Sequence, residues 1–136
     1  MSAAQRRWFV TACLLALTAV ALGAFGAHGL RDRVEPRMLE VFEVGVRYQM
    51  FHALALLAAA LARPLLRAHR ADAACACFVA GTAVFSGSLY AMTLTGIRAL
   101  GAVTPVGGVL FLAGWVLLAA AAQPGRPTEQ TRRKNA

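Results

Sequence analysis

The sequence predicts an all-α protein: a four-helix transmembrane bundle with a short amphipathic helix before the second span. Three observations predict it. Hydrophobic residues make up 59 % of the chain and charged residues only 15 %, against about 25 % charged in an ordinary soluble domain. The apolar residues fall into four long uncharged runs. The Lys and Arg residues gather between and beyond those runs, the placement that marks the loops of membrane proteins. The net charge of +8 therefore does not point to nucleic acid, since no basic face or aromatic platform is left once the runs are set aside. The expected partner is the lipid bilayer.

The first run, Trp8 to Ala27, follows Arg6 and Arg7. At 1.5 Å per residue it spans about 30 Å, the hydrocarbon thickness of a bilayer. A signal peptide also starts with positive charge, but its apolar core is only about 7–15 residues long, so this run is expected to stay as a permanent span that retains Trp8. The stretch Arg31 to Arg47 then holds four arginines and four acids. Pro36 suits the first turn of a helix. Arg37, Glu40, Glu43 and Arg47 recur every three to four residues, with Met38, Leu39, Val41, Phe42 and Val46 between them. This is the pattern of an amphipathic helix at the membrane surface that leads into the next span. Glu43 and Arg47 stand four apart, the spacing of a helical ion pair.

The second run, Tyr48 to Ala62, has only fifteen residues and is short for a bilayer. The amphipathic helix adds a turn, which puts the span at about 46–62, and Pro64 ends it. The third run, Ala73 to Ile97, gives a span over 73–97. The fourth begins after Arg98; Thr104 as N-cap and Pro105 at the first helical position start its helix. Pro124 stops it, so the span covers 104–122. Residues 1–123 are thus expected to form one membrane domain and 124–136 a basic, disordered tail.

Arginine outnumbers lysine thirteen to one and alanine abounds, a composition of GC-rich bacterial genomes that places the chain in a bacterial inner membrane. With four spans both termini share a side. The N-terminus, second loop and tail carry nine Lys and Arg against five in the first and third loops. The positive-inside rule then puts both termini in the cytoplasm.

In lipid, close packing of small residues takes the place of hydrophobic force between helices. Ala19, Gly23 and Ala27 stand four apart; so do Ala83, Gly87 and Ala91. Gly81, Ser88 and Thr95 stand seven apart, as do Gly107 and Gly114. In so alanine-rich a chain the alanine spacings also arise by chance, so Gly23, Gly87, Gly107 and Gly114 are the expected packing positions. Cys13, Cys75 and Cys77 lack the number and spacing of a disulfide framework, zinc site or redox pair and read as small apolar residues.

Polar residues within spans are where function is sought first. His28 ends the first helix. Gln49 and His52, three apart, share a face of the second. Ser86, Tyr90 and Thr93 form a stripe on the third, and Thr104 begins the fourth on the same side. Tyr90 and His52 both lie about 10 Å deep at 1.5 Å per residue, so His52 is expected to bond Tyr90 or Ser86. Three readings compete: a hydrogen-bond network that fixes helix register, at roughly 0.6 kcal/mol per bond; a site for a small ligand, lipid headgroup or proton that uses His52 and His28; and metal or haem ligation by the two histidines. The first is preferred, and no metal or cofactor is expected. No span holds a nucleophile–base–orienter set or a carboxylate pair, so an enzyme is not expected.

Several strings are distinctive: Gly23-Ala24-Phe25-Gly26-Ala27-His28-Gly29-Leu30, Tyr48-Gln49-Met50-Phe51-His52-Ala53-Leu54-Ala55-Leu56-Leu57, Phe85-Ser86-Gly87-Ser88-Leu89-Tyr90, Leu94-Thr95-Gly96, and Thr104-Pro105-Val106-Gly107-Gly108 followed by Gly114-Trp115. In this order, from Trp8 to Leu118, the chain resembles the small bacterial membrane proteins of domain-of-unknown-function family four-two-three (YgdD-like). The resemblance implies a multi-pass plasma-membrane protein with no assigned activity and supplies no functional residues. The expectation is a structural or accessory component that packs against a larger membrane complex or its own copies. The alternative is a small transporter or ligand- or lipid-binding module that uses the outer polar cluster.

Overall fold

A computed structural model describes residues 1–122; the expected tail over 124–136 lies outside the described residues. Helix α1 covers Ala3–Phe25 and continues into a π-helical turn over Gly26–Leu30. Helix α2 covers Pro36–Ala62, α3 Ala68–Thr95 and α4 Thr104–Ala121, with short 3-10 turns over Arg63–Leu65 and Arg98–Ala102. All four helices are long and apolar enough to cross a membrane.

Local chemistry sets the ends. Helix α1 starts before its apolar run because the Ser2 side chain caps it, accepting from the Gln5 N–H at 3.2 Å and satisfying one otherwise free donor. Helix α3 ends at Gly96, whose φ of 72° is left-handed, with its N–H on the Met92 carbonyl; glycine reaches that conformation without strain. Thr104 does not cap α4, contrary to expectation. Its hydroxyl lies 2.7 Å from Ser88 Oγ and ties α4 to α3 instead.

The amphipathic segment and the second span form one continuous helix. The apolar face of the segment is taken up by the bundle rather than the membrane surface: Phe42 is fully buried and Gly45 is buried with it. Glu43 and Arg47 are both exposed, and the ion pair their spacing suggests does not form.

The helices neighbour one another in chain order, α1 along α2, α2 along α3 and α3 along α4. The middle pair is the core. Cys75, Leu56 and Ala59 pack with Ala12 of α1 in one cluster, and Phe78 and Ala55 pack with Phe111 of α4 in another. The outer helices turn large apolar side chains outward, among them Leu17 at 65 % and Leu112 at 68 % exposure, as lipid-facing surfaces do.

At the end that holds the N-terminus and the second loop, Asp72 gathers three donors. Arg63 Nε and Nη2 donate at 2.7 Å each and Trp8 Nε1 at 2.9 Å, which joins α1, the end of α2 and the start of α3. The Arg67 backbone N–H and the Arg70 guanidinium donate to the carbonyls of Ala121 and Ala120 at 3.0 and 2.9 Å, and Arg70 thereby places a cation where the α4 dipole is negative.

The glycines expected to pack do so unequally. A Cβ on Gly107 would fall on the backbone of Phe85, with Phe85 Cα at 2.7 Å, and one on Gly114 would meet the Phe78 ring at 2.6 Å. At Gly23 a Cβ would only touch Val46, at 3.4 Å. Gly87 is a correction: a Cβ there meets nothing within 4 Å, because that face of α3 turns away from both neighbours. Gly81 and Gly45 are the tight positions instead: a Cβ there would lie 2.6 Å from the Phe111 ring and 2.8 Å from the Tyr90 ring.

Candidate functional site

The polar side chains that bond from one helix to another within the spans sort into three groups. The largest joins α1, α2 and α3. Gln49 Nε2 donates to the Leu15 carbonyl at 2.9 Å and to Thr18 Oγ1 at 2.8 Å, while Gln49 Oε1 accepts from the Tyr90 hydroxyl at 2.9 Å. A carbonyl can only accept, so the amide orientation is fixed by its partners. Ser86 Oγ donates to the Gly45 carbonyl at 2.7 Å and Thr93 Oγ1 to the Met38 carbonyl at 3.1 Å. Three helices are therefore stitched by a continuous set of bonds at the end nearer the first and third loops. Gln49, Ser86 and Thr93 are buried.

His52 stands apart from this set. It is buried, but its partners are not Tyr90 or Ser86. His52 Nδ1 lies 2.8 Å from the Tyr48 carbonyl; that oxygen has no proton to give, so Nδ1 carries it. The other ring nitrogen, Nε2, then accepts from Trp115 Nε1 of α4 at 3.3 Å. The imidazole stacks on Phe111 with ring centroids 3.4 Å apart and planes 8° from parallel. Two residues on one helical face three apart are rotated by about 60° from each other at 3.6 residues per turn. That rotation sends Gln49 to α1 and α3 and His52 to α4.

The third group is the Ser88–Thr104 pair between α3 and α4. His28 joins none of the three; it is exposed on the π-helical turn. Thr18 and Trp115 were not singled out from the sequence as polar partners. Thr18, a hydroxyl inside the first run, was the available signal.

Among the described residues, no buried side-chain nitrogen or oxygen lacks a hydrogen-bond partner. In a bilayer that accounting matters, because no water is there to supply the missing bond. Beside the His52 group, the side chains of α2, α3 and α4 leave a groove of about 460 Å³ lined by Tyr48, His52, Phe85, Phe111, Leu112 and Trp115, with Gly108 in its wall. Its lining is mostly aromatic.

A family model described as "Protein of unknown function (DUF423)" matches residues 22–108. The chain is 43 % identical over 116 residues to a UPF0382 membrane protein of Bacillus subtilis, covering 85 % of this chain and 94 % of that one. It is 43 % identical over 114 residues to one of Staphylococcus aureus, covering 84 % and 93 %. With one of Haemophilus influenzae it shares 40 % over 116 residues, covering 85 % and 92 %. The chain belongs to this family. It is a multi-pass membrane protein of a family whose activity is uncharacterised. No solved structure matches. The family model takes in Gln49, His52, Ser86, Tyr90 and Thr93, while Thr18, Phe111 and Trp115 fall outside it.

Proposed function

We propose that this protein is a structural or accessory component of the inner membrane, without catalytic activity of its own, that packs against a larger membrane complex. The observation that supports it most is the closure of the polar network. Gln49 spends both amide protons and its oxygen on α1 and α3, and His52 spends both ring nitrogens on Tyr48 and Trp115. A transport or catalytic centre keeps polar groups available to its substrate; here they fix helix register. The nine-to-five distribution of Lys and Arg supports both termini being cytoplasmic. A phosphatase fusion in the first loop would then be active and one at the C-terminus inactive.

Purification from native membranes in mild detergent tests the reading. The expected result is one integral membrane partner at fixed stoichiometry, and no solute flux when the protein alone is placed in liposomes. A protein that purifies alone and carries flux in liposomes that the Gln49→Leu variant abolishes would contradict it, in favour of a small transporter.

A further inference from the structure

The groove between α2 and α4, about 460 Å³, is in the size range of small-molecule sites. Gly108 sits in its wall. A Cβ there would meet nothing within 4 Å, so no contact within the chain requires glycine, and glycine in a helix interior is disfavoured relative to alanine. Its missing side chain keeps the groove open. Val109 and Leu112 of the same wall belong to the outward apolar surface of α4. The groove therefore opens to the hydrocarbon of the bilayer, and whatever enters it is soluble in lipid.

The lining selects the kind of molecule. It contains no Asp, Glu, Lys or Arg, and His52 is neutral because its Nε2 accepts from Trp115. An ionic group placed there would be desolvated and unpaired, so the ligand is uncharged. The rings of the lining are close to parallel: His52 lies 8° from Phe111 and 21° from Tyr48, and Tyr48 lies 28° from Phe85. On such flat faces a planar ring gains stacking beyond the area it buries; a flexible hydrocarbon chain gains little that bulk lipid does not offer. One polar group of the lining is unspent. His52 uses both ring nitrogens and Trp115 its indole N–H, but the Tyr48 hydroxyl makes no hydrogen bond among the described residues. In hydrocarbon no water is there to accept its proton. A flat, uncharged ring with a carbonyl oxygen at its edge complements all of these features.

We propose that the groove binds a lipid-soluble quinone, its ring on the aromatic wall, one carbonyl accepting from the Tyr48 hydroxyl and its tail in the surrounding lipid. Binding of this kind asks for no chemistry from the chain and does not depend on a protein partner. The test uses the full chain in phosphatidylcholine vesicles and a benzoquinone with a decyl tail, since quinones quench tryptophan on contact. Trp115 lines the groove, while Trp8 is held at Asp72. Titration is expected to remove the Trp115 share of the emission, with saturation at one quinone per protein, and Trp115→Phe to remove that saturable part. Gly108→Leu puts a side chain into the groove from a position where the Cβ is free; saturable quenching should vanish while the unfolding temperature in detergent is unchanged or higher. Tyr48→Phe keeps the ring and loses the hydrogen bond, which should weaken binding about 2- to 10-fold. Decanol, a tail with no ring, should not displace the quinone at equal mole fraction. Quenching that rises with quinone mole fraction without saturating, a saturable part that survives Gly108→Leu, an unchanged affinity in Tyr48→Phe, or displacement by decanol would overturn the proposal.

Discussion

The two sides of helix α2 are held by different physics. Toward α1 and α3 it uses directed bonds: Gln49 reaches Leu15, Thr18 and Tyr90, and Gly45 offers its carbonyl to Ser86. Toward α4 it meets the bundle through rings, with His52 flat on Phe111 and Tyr48 stacked on Phe85 at 4.6 Å. Helix α4 itself is drawn in by glycine, at Gly81, Gly107 and Gly114. The first arrangement fixes one register, because each bond needs a particular donor opposite a particular acceptor. The second brings backbones close and gains dispersion, and its rings leave an open trough beside them. A chain this small thus separates a rigid, saturated half from a half with accessible surface.

The largest effect should come from the glycine side. Gly107→Ala puts a methyl group on the Phe85 backbone, which cannot rotate away, so α3 and α4 must part. Overpacking of this kind costs about 1–3 kcal/mol, and the upper end is expected, read as a lowered denaturation midpoint in detergent. If Gly107→Ala is neutral, close approach is not what holds α4. On the bonded side, Gln49→Leu removes three interhelical bonds; at about 0.6 kcal/mol each, the expected loss is about 2 kcal/mol. An effect there larger than that of Gly107→Ala would reverse the comparison. The smallest effect belongs to Gly87→Ala. That position is open, so the better helix propensity of alanine should leave stability unchanged or raise it, by at most about 1 kcal/mol. A clear loss would mean that Gly87 packs against another molecule.

The spans were legible because apolar length and charge placement are one-dimensional signals. The fourth helix, expected over 104–122, is Thr104–Ala121, and the third begins five residues before its uncharged run, at Ala68, because helix continues past the charges that mark the membrane boundary. The internal burial of Gln49, His52 and Ser86 was legible for the same reason: polar groups inside a span turn away from lipid. Their pairing was not. Whether His52 meets Tyr90 or Trp115 depends on which helices flank α2, and spacing along one helix carries no information about that. Counting residues along each span puts Tyr90 and His52 at one level, but Tyr90 packs against Gly45 and His52 against Phe78, so the two are offset along the bundle and make no bond. Asp72 stands just before the third uncharged run, and nothing in the sequence marks it as a joint. Its role as acceptor for Arg63 and Trp8 follows from three helix ends meeting, a tertiary fact. Gly87 failed for another reason: a small-residue stripe looks the same whether a neighbour covers it or not.

The account rests on Gln49 and Tyr90 forming a structural bond between α2 and α3, which a double-mutant cycle measures directly. Gln49→Leu, Tyr90→Phe and the double variant would be unfolded reversibly in the same detergent and their free energies compared. A favourable coupling of about 0.6 kcal/mol, and no more than about 1.7, is the predicted result. Additive losses, with no coupling, would show that the two side chains do not support each other and that the network is not what fixes the register of the bundle.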